Sequence, residues 1–170
     1  HDSVVDLRSI ELTWFDRWLK GVSNGVDEEP PLRIFVMGAN EWRDENEWPL
    51  ARTEYTPFYF HGNGSANSIT GDGGLSAQPP GNEPPDRFAY DPEYPAPTLG
   101  GCTCCNSEFV SWGAYDQRPV EYRNDVLVYT SHPLEEDLEV TGPVFVKLFA
   151  STDGRDTDFT AKLVDVHPDG

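Results

Sequence analysis

The first clear hydrophobic period in the chain is helical. Between residues 3 and 20, Leu7, Ile10, Trp14 and Trp18 recur at the i, i+3, i+4 spacing, with Leu12, Phe15 and Leu19 beside the stripe. This pattern predicts one amphipathic α-helix. Ser3 or Asp2 can cap its start, and Asp6 falls in the first turn, where the helix dipole favours an acid. Lys20 followed by Gly21 supplies the stop. Two tryptophans and a phenylalanine on one short helix need a surface to cover them.

Beyond a Gly-, Asn-, Pro- and acid-rich stretch at 22–31, the pattern changes to short strands. Residues 32–37 form a compact apolar run that reads as a buried strand. Residues 54–60 are aromatic-rich, with Pro57 marking an edge or a bulge, and 87–90 form a short strand stopped by Asp91-Pro92. Residues 126–130, 138–140, 144–150 and 159–166 are the clearest strands. Two long loops intervene. Only Ile69 and Leu75 interrupt the polar run at 61–86, leaving room for one short strand, and 95–111 carries every cysteine. Many short strands, Pro/Gly turns and long crossings predict a mainly β fold. The expected form is an antiparallel jelly-roll sandwich preceded by the one amphipathic helix. The last strand runs into Pro168-Asp169-Gly170, a hairpin turn with no return strand, and the first helix begins almost at His1. The sandwich is therefore expected to be incomplete, and the chain to be a piece of a longer protein.

Composition narrows the function classes. The 170 residues include 30 acidic and 12 basic side chains, for a formal charge of -18. Phosphate binding needs a basic surface, so nucleic acid is not an expected partner, and neither is an anionic membrane. Solubility is the simplest use of the charge, with an acidic face for cationic partners as the other reading. No apolar run approaches the roughly 20 residues of a membrane span. The compartment stays open, with the cytoplasm favoured.

Candidate chemistry is sparse. Gly62-Asn-Gly-Ser65 has the letters of a nucleophile elbow at the wrong spacing, inside an irregular loop. None of the four histidines has a metal-binding partner at helical spacing. Cys102, Cys104 and Cys105 lie too close together to wrap a metal unaided, and read first as free loop thiols. Asp153, Asp156 and Asp158 lack the spacing and the closing Glu of a calcium loop. No cofactor and no metal are expected. Trp42, Trp48 and Trp112 read as loop residues, which either seal an interface or stack on sugar rings.

Several segments resemble a known family when taken in order. They are Trp14-Phe-Asp-Arg-Trp-Leu-Lys-Gly21, Arg33-Ile-Phe-Val-Met-Gly38, Trp42-Arg43 and Glu47-Trp-Pro-Leu50. Then follow Tyr90-Asp-Pro92, Pro97-Thr-Leu-Gly-Gly101, Asp116-Gln-Arg-Pro119 and Asp125-Val-Leu-Val-Tyr129. Val140-Thr-Gly-Pro143 and the run from Asp156 to Val166 complete the set. Together they resemble the cocaine-esterase / X-Pro dipeptidyl-peptidase family of α/β-hydrolases. That resemblance implies a serine hydrolase acting on esters or amides, built from a hydrolase domain, an inserted helical cap and a C-terminal jelly roll. It implies that residues 1–21 are the closing helix of the hydrolase domain, 22–31 a linker, and 32–170 a jelly-roll domain truncated at its C-terminus. The triad would precede this stretch. The family's catalytic histidine sits in a Gly-Pro-Trp-x-His context that His1 lacks, so no catalytic residue is expected here. The resemblance also implies that the loop after the Leu-Gly-Gly turn walls the acyl side of the pocket, with Cys104 and Cys105 nearest the substrate. The expected partners are the hydrolase domain and a small ester or amide substrate. Self-association is expected through the Trp14/Trp18 helix face or the 159–166 edge. The competing reading is a stand-alone β-sandwich binding module, for which carbohydrate is the expected ligand.

Overall fold

The computed structural model describes residues 3–102, 108 and 111–169. The chain divides into two units, His1–Tyr55 with Glu139–Ala150, and Thr56–Leu138 with Ser151–Gly170. Five strands in two sheets and two helices make up the described elements, so the fold is mainly β.

The first unit opens with α1, Leu7–Lys20, which starts later than the expected residue 3. Val4 and Val5 are β-branched and poor helix formers, and Asp6, not Ser3 or Asp2, is the N-cap. Its carboxylate accepts the N–H groups of Arg8 and Ser9 at 3.1 and 3.3 Å and the Ser9 hydroxyl at 2.7 Å. The Ser9 hydroxyl, above all, holds the Asp6 carboxyl below its ordinary range. The helix stops as expected. Gly21 takes φ 71°, and the N–H groups of Gly21 and Val22 return to the carbonyls of Arg17 and Asp16. Asn24 Nδ2 donates to the Thr13 carbonyl and Arg17 pairs with Asp27, which fastens the following segment to the helix. No residue of α1 is buried, and α1 packs on none of the other elements. Trp14 and Trp18 meet each other at 5.6 Å between ring centroids, and both remain about half exposed.

β1, Leu32–Val36, forms where the apolar run predicts it, and pairs antiparallel with β2, Glu41–Glu45. The pairing of Val36 with Glu41 leaves a four-residue turn in which Gly38 and Asn40 both take positive φ. β2 is a correction to the sequence reading, which placed Trp42 in a loop. Its Trp42 ring packs on Phe35 at 5.3 Å, and that cross-strand pair recruits a largely charged segment into a strand. Behind the hairpin Arg43 grips Glu139 with two hydrogen bonds of 3.0 and 2.6 Å. Arg52 grips Glu45 in the same way. Leu50 is the buried apolar residue of this unit.

The second unit holds a three-stranded sheet of order β3-β4-β5. β3, Tyr59–His61, pairs antiparallel with β4, Gly74–Ser76, and β4 pairs parallel with β5, Thr130–Ser131. The sheet is therefore mixed, where antiparallel pairing was expected, because the chain makes a long excursion before returning to the far side of β4. The strand expected at 54–60 is shorter and shifted, and β5 lies at the very end of the run expected at 126–130. Leu127 makes a single bridge to Asn67. Gly73 is required where β5 approaches, since a Cβ there would collide with the Val128 carbonyl oxygen. The segment 61–86 is the expected long loop with one short strand, β4 around Leu75, and polar side chains pin it. Asp86 accepts the Ala66 N–H at 2.9 Å and the Tyr129 hydroxyl at 2.8 Å, and Asp72 accepts the Asn63 N–H at 3.0 Å. Burial and the Asp86 carboxylate push the Tyr129 phenol well above its ordinary value. Ala66 is fully buried beneath these bonds. A short helix not expected from the sequence, α2 at Arg118–Glu121, buries Val120.

The expected strands at 87–90, 138–140, 144–150 and 159–166 carry no ladder. Their apolar side chains face solvent, with Phe145 at 78% and Phe149 at 95% exposure. A strand pattern records a face to be buried, but pairing also needs a neighbour with free N–H and C=O groups. Among the described residues no strand or bridge pairs with these segments.

Candidate functional site

In the second unit, strands β3 and β4 and the loop after β4 bring together a serine, a histidine and a carboxylate. Ser76 Oγ lies 3.0 Å from His61 Nε2, and Glu83 Oε1 lies 2.9 Å from His61 Nδ1. By distance alone this is the order nucleophile, base, orienting carboxylate. The remaining contacts assign it another role. His61 Nε2 also lies 3.0 Å from the Gln78 carbonyl oxygen, and the Ser76 hydroxyl oxygen accepts the Gln78 N–H at 3.2 Å. A carbonyl and a carboxylate only accept, so both contacts are hydrogen bonds at once only when both ring nitrogens carry N–H, as in the imidazolium. In that charged form the ring cannot take a proton from serine. The hydrogen bond to Glu83 raises the His61 pKa above its ordinary 6.5, and the same bond, with the Gly62 N–H, holds the Glu83 carboxyl low. The three side chains thus fasten the loop after β4 to the edge of β3. No local motif announced them: Ser76 is 15 residues from His61 and Glu83 is 22.

The cysteine loop is the second candidate. Its stem is built by two glycines whose N–H and C=O groups exchange hydrogen bonds, Gly101 to Gly113 at 2.7 Å and Gly113 to Gly101 at 3.1 Å. Gly100 takes φ 62° beneath it, where a Cβ would strike the Gly113 carbonyl oxygen and the Tyr115 ring. Gln117 locks the stem by donating Nε2 to the carbonyls of Leu99 and Tyr115, while its Oε1 accepts from Lys162 at 2.9 Å. Trp112 and Tyr115 stand exposed beside this stem. Cys102 is exposed and free. Cys104 and Cys105, the expected pocket-wall residues, lie outside the described residues.

The other sequence candidates are not assembled into sites. Ser65 lies in a turn, where its carbonyl accepts the Asp72 N–H at 3.0 Å. Thr152 Oγ1 accepts the Gly154 N–H and shapes the Asp153 turn. Among the described residues, no group of three or more His, Cys, Asp or Glu side chains is placed to hold a metal. Trp42 is engaged by Phe35 and by the Arg33 guanidinium at 5.8 Å, whereas Trp48 and Trp112 are exposed. No helix among the described residues is long and apolar enough to cross a membrane.

Comparison with known proteins places the geometry in a family. The family described as the X-Pro dipeptidyl-peptidase C-terminal non-catalytic domain matches residues 24–170. The cocaine esterase of Rhodococcus sp. (strain MB1 Bresler) is 47% identical over 167 residues, covering 98% of this chain and 29% of that protein. A Mycobacterium bovis protein provisionally named a serine esterase is 30% identical over 167 residues, 94% of this chain and 24% of its own length. The chain thus spans less than a third of the relatives it matches. It belongs to the cocaine-esterase / X-Pro dipeptidyl-peptidase family, as that family's C-terminal non-catalytic domain.

Proposed function

We propose that the chain is the C-terminal portion of a serine hydrolase that acts on ester or amide substrates by acyl transfer, and that it supplies scaffold and interface but no catalytic group. The observation that carries this reading is the pairing of a family match over residues 24–170 with an α1 that has no buried residue and packs on none of the other described elements. Residues 1–21 close the hydrolase domain, 22–31 link, and 32–170 contribute the first strands of a jelly roll. The hydrolase domain covers Trp14 and Trp18, and later strands pair with 144–150 and 159–166. Without those partners the same surfaces self-associate. The locked stem at Gly101 and Gly113 supports a pocket-wall role for the loop it carries, including Cys104 and Cys105. The stand-alone carbohydrate-binding reading is weaker, because Trp42 is occupied by its own hairpin.

The test compares the 170 residues alone with the intact protein on an activated aryl ester. The intact protein is expected to hydrolyse it and to be silenced by a serine-directed phosphonate. The 170 residues alone are expected to show no phosphonate-sensitive turnover; such turnover would overturn the assignment.

A further inference from the structure

We propose that His61 is a protonation-dependent clasp that holds the loop 77–85 against β3 and releases it when the ring loses its charge. The loop is Pro- and Gly-rich and has few apolar anchors of its own. Its ties to β3 converge on one ring and the residue after it. His61 Nδ1 donates to Glu83 Oε1 at 2.9 Å, Nε2 to the Gln78 carbonyl at 3.0 Å, and the Gly62 N–H to Glu83 Oε2 at 3.1 Å. Both loop partners of the ring are acceptors only, so a neutral ring can satisfy one of them and must present a lone pair to the other. In the charged ring both bonds form and the pair with Glu83 is charge-assisted.

The groups facing the clasp come from every neighbouring segment. Glu83 and Gln78 approach from the loop, and the Ser76 hydroxyl from β4, 3.0 Å from Nε2. On the far side of Gly62, Asp86 and Asp72 approach its Cα closely enough to be the nearest atoms to any added Cβ. Among the described residues no Lys or Arg hydrogen-bonds to the ring, and its charged partner is the acid Glu83, which favours the cation. The sign follows. A ring whose folded value lies above 6.5 keeps its clasp fully at pH values below 6.5 and loses it as pH rises through the folded value. An esterase or peptidase working across neutral pH would thereby carry a segment that is fastened in weak acid and loose in weak base.

The experiment follows the His61 ring and the Gly62 amide by NMR in the intact protein through a pH series, with protection factors corrected for intrinsic exchange. His61 is expected to titrate above 6.5, with loss of Gly62 protection at the same midpoint. Glu83→Gln, an exposed and isosteric change, is expected to move the His61 midpoint back toward 6.5 and to uncouple Gly62 protection from pH. A wild-type His61 midpoint at or below 6.5, or Gly62 protection that stays constant through that midpoint, would overturn the proposal. The wild-type titration decides it even if the variant fails to fold.

Discussion

Glu139 shows how much one charged residue is shaped by a partner far away in sequence. The two hydrogen bonds from Arg43, with help from Thr141, lower its carboxyl from an ordinary 4.5 to about 2. Because the folded value lies below the unfolded one, an unfolded chain takes up the proton first as pH falls. The contribution of this pair is therefore present above pH 4.5 and lost on the way down to about 2. Asp6, Glu45, Asp116 and Asp125 are shifted in the same direction by Ser9, Arg52, Arg118 and Arg123 respectively, so acid weakens several ties at once. His61 has the opposite sign. Glu139→Gln isolates one tie: urea midpoints of the intact protein are expected to fall less steeply with acid in the variant than in the wild type. Identical acid limbs would show that the grip of Arg43 on Glu139 adds nothing to stability. None of this was legible in the sequence, because Arg43 and Glu139 are 96 residues apart and each reads locally as a solvated charge.

Among elements, the segments leading into β4 and β5 approach each other closely at Gly73 and Val128. The Gly73 Cα faces the Val128 carbonyl, with the Ala66 methyl close behind. Gly73→Ala is expected to cost on the order of 1–3 kcal/mol or more, as overpacking does in closed sites. It should be read by chemical denaturation, with unchanged stability as the contrary result. The same approach explains what pattern reading could and could not see. α1 was legible because its stop signal, Lys20-Gly21, coincides with the end of its stripe, and only the start was misplaced, by taking Ser3 or Asp2 as the cap and Asp6 as a first-turn acid. β1 was legible as an apolar run. β2 was not, since Glu41, Arg43, Asp44 and Glu45 read as loop and Trp42 supplies the apolar cross-strand contact, on Phe35. β4 was at best allowed for, because a Gly-Leu-Ser strand has no period to detect and depends on the polar pins from Asp72 and Asp86 around it. At 144–150 and 159–166 the reverse holds: the alternation is plain, yet no ladder forms among the described residues. Sequence pattern specifies which face wants burial, while hydrogen-bonded neighbours decide whether a strand exists.

At the scale of the whole chain, the unmet faces dominate the energetics. Among the described residues only Leu50, Ala66 and Val120 are buried apolar side chains. Trp14, Trp18, Phe145, Phe149, Leu163 and Val166 all remain at least half exposed. Fully burying a large apolar side chain is worth about 1.5–3 kcal/mol, so what these six still expose, equivalent to about four whole side chains, is worth roughly 6–12 kcal/mol. The net stability of a whole domain is about 5–15 kcal/mol. The unfilled contacts are thus as large as everything that keeps a domain folded. The unpaired N–H and C=O groups of 144–150 and 159–166 add templates for strand addition by other chains. The 170 residues alone are therefore expected to bind a hydrophobic dye, to associate as concentration rises, and to melt broadly at a temperature that depends on concentration. Co-expression with the remainder of the polypeptide as a second chain is expected to suppress dye binding and restore a sharp transition. Sedimentation and melting at several concentrations decide the matter. A monomer that melts cooperatively at one temperature throughout the series would mean that the chain covers Trp14, Trp18 and Phe149 by itself, and the scaffold role proposed for it would lose its energetic basis.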